Sequence, residues 1–264
     1  MPGFLSECFD RILRPFTDVE RELRRIGFDV VYFEVPGRGT TVQNAAWLAK
    51  SMRSLDPDPR PFILFAHSKG LVDVMELVAS HPAEARMIAA VVGIAGAANG
   101  SPLADTLLAV YRQWVSSLPM PGCTAGAGNE LEDLRRDVRL DWWRRNRRLI
   151  TMPIFTIVAA PSPDRISPGA KLLYRRLAQI DARNDGRLIW YDQIVSDSHL
   201  LGYVNADHWG IVLAVGEEIP VAEPFVRDDV PRLALIEGAI DVVAASLPPA
   251  PESADVNRDR VETP

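Results

Sequence analysis

A serine at the apex of a predicted turn is the residue in this chain best placed for nucleophilic chemistry. Ser68 follows the apolar run 62–65 and precedes residues 71–80, which have helical spacing. A sharp turn from strand to helix lifts a serine hydroxyl above the sheet and directs the next backbone N–H toward the same space. The backbone is crowded at such a turn, and the small residues Ala66 and Gly70 fit there. The pattern therefore predicts that Ser68 is a nucleophile.

Four histidines are candidates for the base that would activate this serine. His208 lies in a polar loop after the apolar run 200–204, and a neutral imidazole there can accept the hydroxyl proton near pH 7. We expect His67, next to the serine, to point away from the site and to serve in packing or hydrogen bonding. We expect His81 to end a helix at the surface. His199, in a possible turn, stays an alternative base.

Two aspartates are candidates for the acid that would orient the base, and the residue pattern does not choose between them. Such an acid fixes the histidine tautomer and stabilises the imidazolium. Asp164 directly follows the apolar run 153–160, where simple topology expects the acid, whereas Asp185 lies in an Asp-Gly turn closer to His208. Either aspartate could instead be a turn former. Three further candidates fit less well, and they are Asp192, Asp197 and Asp207.

Short apolar runs alternate with helical patterns along the chain, which predicts an α/β fold with a parallel sheet covered on both faces. Ligands of such sheets bind beyond the carboxyl ends of the strands, and Ser68 follows such an end. The predicted strands are 28–35, 62–65, 88–96, 153–160 and 200–204, and the predicted helices are 7–26, 42–55, 71–80 and 232–247.

Residues 99–152 interrupt this alternation directly after a predicted strand. Predicted helices at 103–118 and 130–149 make this block either a cap over a site or a solvated helical excursion. We interpret residues 1–247 as one α/β domain that carries this insertion. Residues 248–264 are rich in proline and charge without apolar periodicity, which predicts a disordered tail.

Composition excludes several classes of protein. The 264 residues suffice for one sizeable domain, and 47% apolar with 24% charged residues is ordinary for a globular protein. A net charge of −6 argues against a nucleic-acid partner, which requires a basic face. Cys8 and Cys123 give no disulfide framework. Because no apolar run reaches the ~20 residues of a membrane span and no signal pattern opens the chain, we expect a cytoplasmic protein.

Four short segments follow one another along the chain in a characteristic order. The segments are Pro2-Gly-Phe4, Ala66-His-Ser-Lys-Gly70, Gly100-Ser-Pro-Leu-Ala-Asp105, and Asn184-Asp-Gly186 with 198–202 and His208 after it. In this order they resemble the bacterial triacylglycerol lipases and related esterases of the α/β-hydrolase fold. The resemblance covers most of residues 2–212, and the ordered set is more specific than any one segment.

The resemblance implies a three-layer α/β-hydrolase fold with a helical cap and gives each site residue a role. Ser68 would be the nucleophile, His208 the base and Asp185 the acid, which moves the preference away from Asp164. The backbone N–H groups of Phe4 and Lys69 would form the oxyanion hole.

The chain departs from these lipases at two places. They often bind calcium through an aspartate shortly after the histidine, but Trp209-Gly-Ile-Val212 follows here, so we expect no metal site and no cofactor. The family also has strands before its oxyanion segment, whereas this chain begins at Met1-Pro-Gly3. Either the sheet lacks a strand there, or the natural start lies further upstream.

Together these inferences predict a serine hydrolase that cleaves carboxylic, lipid-like or acyl esters through an acyl-enzyme. A small-molecule ester is then the expected partner, and no oligomeric state is predicted. The alternatives are a thioesterase, amidase or acyltransferase with the same triad, and a non-catalytic binding protein on a degenerate hydrolase fold. Four apolar residues of the 99–152 block could line an acyl pocket or equally pack a core, and they are Leu107, Leu108, Trp114 and Leu118.

Overall fold

The computed structural model describes residues 1, 3, 14–55, 61–116, 126, 128–215, 227 and 229–248. These residues form a parallel sheet of four strands in which each strand pairs with the next along the chain. In order across the sheet, the strands are Phe62–His67 (β1), Ile88–Ile94 (β2), Ile154–Ala159 (β3) and His199–Val204 (β4).

Helices connect the strands and lie on both faces of the sheet. A π-helical turn, Tyr111–Val115, continues the fifth helix. The α-helices are Thr17–Arg25 (α1), Thr41–Arg53 (α2), Lys69–Ser80 (α3), Pro82–Ala85 (α4), Pro102–Val110 (α5), Arg136–Asn146 (α6), Lys171–Leu177 (α7) and Arg232–Ser246 (α8). The 3₁₀ turns are Glu132–Leu134, Arg147–Leu149, Pro163–Arg165, Pro168–Ala170 and Trp190–Gln193.

The register of the sheet brings the carboxyl ends of all four strands to one edge. His67 pairs with Ile94, Ile94 with Ile157, and Ile157 with Gly202. Because the strands are parallel, the segments that follow them leave the sheet on the same side. The loops carrying the candidate serine, acid and base all begin at this edge.

Two hydrophobic cores lie on opposite faces of the sheet. Adjacent residues of β2 face different cores, because side chains alternate along a strand. Val91 packs with Met75 of α3 in one core, which also contains α2 side chains, whereas Val92 packs with Val19 of α1 and Ile236 of α8 in the other. The prediction of a parallel sheet covered on both faces is therefore confirmed.

Local sequence signals explain where the helix α2 begins. The Thr40 hydroxyl accepts a hydrogen bond from the Gln43 backbone N–H at 3.3 Å, and the Gln43 side chain accepts one from the Thr40 N–H at 2.9 Å. This reciprocal capping box satisfies two of the N–H groups that a helix leaves without intrahelical partners. It fixes the start of the helix that packs against α3.

A buried ionic cluster joins α3 to α2. The Lys69 ammonium donates to Asp73 Oδ1 at 2.6 Å, and the Asn44 side-chain amide donates to Asp73 Oδ2 at 2.8 Å. All three residues are about 1% exposed. Burial raises the pKa of Asp73, and the neighbouring Lys69 charge opposes that rise. The pair is therefore held by mutual attraction in a place where neither charge can be solvated.

The helix α6 of the 99–152 block is attached to the rest of the fold by polar contacts. Trp142 Nε1 donates to Glu76 of α3 at 2.5 Å, and Arg139 Nε donates to the Ala98 carbonyl at 3.4 Å. The Arg139 guanidinium also lies 4.5 Å from the Trp142 ring centroid. Burial lowers the pKa of Arg139 to about 10, still far above neutral pH.

The structure corrects two of the predicted elements. Residues 28–35 are not a strand of the described sheet, because no ladder of hydrogen bonds pairs them with β1–β4. Met1 lies along the edge of β1. Its amino group donates to the Phe65 carbonyl and its carbonyl accepts from the His67 N–H, both at 3.0 Å. Phe33 and Val35 are nevertheless buried in the core. The predicted helix 130–149 is divided into α6 and flanking 3₁₀ turns.

Several predictions fall on residues outside the described part of the chain. These are the first part of helix 7–26, Cys8, Cys123 and the tail from residue 249 onward. The division into a domain of residues 1–247 with a cap at 99–152 stays a prediction.

We predict that removing one member of the buried Lys69–Asp73 pair lowers the free energy of unfolding strongly, whereas replacing both members with apolar residues lowers it little. Asp73→Leu leaves a buried ammonium without its carboxylate, so the free energy of unfolding should fall by about 3–5 kcal/mol. The double variant Lys69→Met/Asp73→Leu removes both charges and should regain most of that loss. Urea unfolding followed by circular dichroism measures both.

The exposed pair between Asp141 and Arg145 on α6 is the matched control. Asp141→Ala should change the free energy of unfolding by less than about 1 kcal/mol, because solvent screens that pair. A double variant as unstable as Asp73→Leu contradicts the interpretation.

Candidate active site

Ser68 occupies a strained turn between β1 and α3. Its backbone has φ 53° and ψ −126°, a conformation that residues with a side chain rarely adopt. Three backbone hydrogen bonds hold the turn: the Ser68 N–H donates to the Ile94 carbonyl at 3.3 Å, and the Ser68 carbonyl accepts from Leu71 and Ala97 at 3.2 and 3.0 Å. The strain is thus supported by both the helix that follows and the loop after β2.

The Ser68 hydroxyl, the His208 imidazole and the Asp185 carboxylate form one hydrogen-bonded chain. His208 Nε2 lies 2.9 Å from Ser68 Oγ, and His208 Nδ1 lies 2.7 Å from Asp185 Oδ2. A carboxylate accepts hydrogen bonds, so Nδ1 carries the ring proton and Nε2 is left to accept from the hydroxyl. The structure brings together the serine, base and acid that the resemblance indicated.

Asp185 is completely buried, and its carboxylate is well supplied with donors. Oδ1 accepts from the backbone N–H groups of Arg187 and Leu188 at 2.8 and 2.6 Å, and Gln193 Nε2 lies 3.4 Å from Oδ2. The Asp185 backbone carbonyl also accepts from the His208 N–H at 3.0 Å. The acid turn and the base loop are therefore joined through main chain as well as side chain.

Asp164, the other candidate acid, is exposed in the 3₁₀ turn after β3. Its pKa is lowered mainly by a hydrogen bond from the Ser162 side chain. Simple topology places this residue next to the strand end, but the chain runs on to Asp185 before it returns to His208. The acid preferred on topology alone is thus not the one that meets the histidine.

Asp207, beside the base, shapes the loop that carries it. Its Oδ1 accepts from the N–H groups of Trp209 and Gly210 at 3.2 and 2.9 Å, and its Oδ2 accepts from the Ser167 N–H at 2.6 Å. These bonds close the turn immediately after His208. Asp207, one of the weaker candidate acids, therefore has a structural role in this loop.

The expectation that His67 points away from the site is wrong. Its ring centroid lies 4.7 Å from that of His208, and its Nε2 lies 3.0 Å from the His208 carbonyl oxygen. His67 does have the packing and hydrogen-bonding role expected of it, but its partners are His208 and Trp209. His199 is the first residue of β4 and stacks on Phe155, away from the serine.

Of the two residues predicted to donate to the oxyanion, the structure describes Lys69 but not Phe4. Lys69 is the first residue of α3, and the first N–H groups of a helix have no partner within it. Its role as an oxyanion donor stays a prediction. Phe4 lies outside the described residues. The neighbouring Gly3 is described, and its backbone approaches the serine so closely that a Cβ there would lie 2.7 Å from Ser68 Cβ.

Sequence reasoning missed the residues that support the acid and the base. Gln193 holds Asp185 and also exchanges two hydrogen bonds with the Ala159 backbone, at 2.8 and 2.9 Å. Trp209 packs edge-on against the His208 ring, with centroids 5.6 Å apart. Neither residue belongs to a recognisable motif, because their roles depend on how separate loops meet.

Metal-ligand clusters and membrane-spanning helices are both absent from the described residues. No group of three or more His, Cys, Asp or Glu side chains is arranged to ligate a metal ion there. Within that same part of the chain, no helix has the length and apolar character needed to cross a bilayer.

Comparison with solved structures reveals close similarity to a metagenomic carboxyl esterase, MGS0156. The two chains are 33% identical with a TM-score of 0.88, and the match covers 93% of this chain and 74% of the esterase. No protein-family model matches the sequence, and the search of curated proteins returned no match.

Two more distant structures share the fold. The mature form of the lipase BlEst2 from Bacillus licheniformis is 18% identical with a TM-score of 0.63, covering 78% of this chain and 82% of the lipase. Lipase 1 from Pelosinus fermentans is 14% identical with a TM-score of 0.63, covering 94% and 97% respectively.

We predict that Gly3→Ala impairs the reactivity of Ser68. The added methyl group would lie 2.7 Å from Ser68 Cβ, so either the serine or the chain at residue 3 must move. The rate constant for phosphonylation of Ser68 by a fluorophosphonate should fall at least about 10-fold, because small displacements at a reacting centre are costly.

Gly238→Ala in α8 is the control, since among the described residues a methyl group there meets no atom within 4 Å outside the backbone of its own helix. It should leave the labelling rate unchanged. Labelling of Gly3→Ala at the wild-type rate contradicts the close approach seen in the structure.

Proposed function

The chain belongs to the carboxyl esterases of the α/β-hydrolase fold, and on this basis we propose that it hydrolyses carboxylic esters through an acyl-enzyme on Ser68. Membership of this family sets aside the non-catalytic binding protein among the alternatives. The single observation that carries the proposed mechanism is the unbroken hydrogen-bonded chain from Ser68 through His208 to Asp185.

The geometry supports acylation by the serine. Ser68 Oγ attacks the carbonyl carbon of the ester while its proton passes to His208 Nε2, 2.9 Å away. The resulting imidazolium is stabilised by the buried Asp185 carboxylate, to which Nδ1–H donates. When the tetrahedral intermediate collapses, the C–O bond to the leaving alcohol breaks and His208 returns the proton to that alcohol.

Deacylation uses the same groups in the reverse sense. Water donates a proton to His208 Nε2 as its oxygen attacks the acyl carbon, and the proton then passes to Ser68 Oγ as the acid is released. In both halves of the reaction a negative charge develops on the former carbonyl oxygen. We assign the Lys69 backbone N–H as one donor to this oxygen, with Phe4 as the second by resemblance.

An apolar acyl group is the substrate class that the 99–152 block favours. Trp114, in the π-helical turn that continues α5, is 67% exposed, and Val110 one turn earlier is 53% exposed. Leu107 instead packs against a small core with Leu103 and Leu177, as the core-packing alternative expected. Leu118 lies outside the described residues. We propose that the exposed residues of this block contact the acyl chain as a cap.

The proposed function is tested by hydrolysis of p-nitrophenyl esters of increasing acyl length. Ser68→Ala should lower kcat by at least about 10⁴-fold, because the nucleophile is lost, and should abolish fluorophosphonate labelling. Acyl-CoA thioesters and p-nitroanilides, assayed in parallel, distinguish an esterase from a thioesterase or an amidase. Wild-type protein that neither labels nor turns over any ester overturns the proposal.

Substituting each candidate acid in turn distinguishes Asp185 from Asp164. Asp185→Asn should lower kcat by roughly 10⁴-fold, because the amide favours the wrong histidine tautomer and leaves the imidazolium without its counter-charge. Asp164→Asn is the matched control, and its kcat should stay within about 2-fold of wild type because Asp164 is exposed in a turn, where its hydrogen bond is to Ser162. If Asp164→Asn is the crippled variant, the assignment of Asp185 is abandoned.

A further inference from the structure

We propose that His67 is a positioning residue that holds the catalytic base His208 in place by a hydrogen bond to its main chain. This inference rests on the proposed function, because it assigns a role toward the base of that site. His67 is the residue before the nucleophile and is fully buried, yet the acyl-transfer steps make no use of its imidazole.

The hydrogen bond fixes the tautomer of His67. Its Nε2 lies 3.0 Å from the backbone carbonyl oxygen of His208, and a carbonyl oxygen can act solely as an acceptor. Nε2 therefore carries a proton and donates it. Nδ1 is buried and has no hydrogen-bond partner among the described residues, so a proton on that nitrogen would be an unsatisfied donor there.

His67 is held in its neutral form by its surroundings. Burial lowers the pKa of the His67 imidazole well below its ordinary value, and the nearby His208 acts in the same direction. A neutral donor matters here, because His208 becomes an imidazolium during catalysis and a second positive ring 4.7 Å away would oppose that step.

The contact completes a set of anchors around the base. The His208 N–H donates to the Asp185 carbonyl and its Nδ1–H donates to the Asp185 carboxylate, while its carbonyl accepts from His67. Trp209 contacts both rings, with centroids 5.7 Å from His67 and 5.6 Å from His208. Both peptide groups flanking the His208 side chain are thus tied to other parts of the site.

The hydrogen bond from His67 to the His208 carbonyl connects the backbone of the base to the segment that carries the nucleophile. His67 ends β1 and is bonded through the main chain to Ser68, so its ring transmits the position of the serine turn to the base loop. The 2.9 Å distance between Ser68 Oγ and His208 Nε2 depends on where the His208 backbone sits. Loss of the His67 donor should therefore loosen the geometry of proton transfer and leave substrate binding intact.

The experiment compares His67→Phe, which keeps an aromatic ring without a donor, with His67→Gln, which keeps a neutral N–H donor without the ring. With a p-nitrophenyl ester, His67→Phe should lower kcat by roughly 10-fold or more while KM stays within about 2-fold. His67→Gln should recover kcat to within about 3-fold of wild type. His199→Phe, the same change at a histidine that stacks on Phe155, should have no effect.

Two readouts separate positioning from a general loss of structure. NMR of histidine-labelled protein follows the proton shared by His208 Nδ1 and Asp185, which His67→Phe should shift or broaden and His67→Gln should restore. The acid limb of the kcat/KM profile should keep the same number of ionisations in His67→Gln, because His67 stays neutral. Circular dichroism confirms that the variants are folded.

Three results would overturn the proposal. They are a wild-type kcat and unchanged NMR signal in His67→Phe, equal impairment of the Gln and Phe variants, and loss of an ionisation in His67→Gln. Failure of the proposed function looks different: wild-type protein shows no turnover that depends on Ser68. In that case the NMR comparison still decides whether His67 positions His208.

Discussion

The buried hydrogen-bonded chain from Ser68 through His208 to Asp185 is the constraint on which the rest of the structure depends. Polar groups removed from water are tolerated when they are hydrogen-bonded, and this chain runs through a region with little solvent access. Its members come from loops after three different strands, so every contact needs the parallel sheet to deliver those loops to one edge. The backbone N–H groups of Arg187 and Leu188 and the Gln193 side chain satisfy the Asp185 carboxylate at the end of this hydrogen-bonded chain.

The strained backbone at Ser68 is supported from both sides. Ile94 and Ala97, at the end of β2 and in the loop after it, bond to the main chain of the serine, and α3 begins at the next residue. Such conformations cost on the order of 1–3 kcal/mol and persist where the surroundings over-determine them. The buried cluster of Lys69, Asp73 and Asn44 contributes by fastening the first turn of α3 to α2.

The two histidines next to each other in space illustrate how one residue type serves opposite needs. In the proposed mechanism His208 accepts and releases a proton, and it faces a hydroxyl and a carboxylate. His67 faces a carbonyl group and aromatic rings, which favour an uncharged imidazole with a proton on Nε2. The difference lies in their surroundings, because hydrogen-bond partners and burial decide which form of an imidazole is stable.

The sequence by itself determined the strand, serine turn and helix around Ser68, the layered α/β architecture and the choice of His208 as candidate base, because these depend on local pattern and chain order. Tertiary structure placed Asp185, and not Asp164, against His208, turned the His67 ring toward His208, and placed Gln193 beside Asp185. It also left residues 28–35 outside the described sheet, since strand propensity is realised only where another strand pairs with the segment. Those outcomes depend on which loops meet in space, and the spacing of residues along the chain does not encode that meeting.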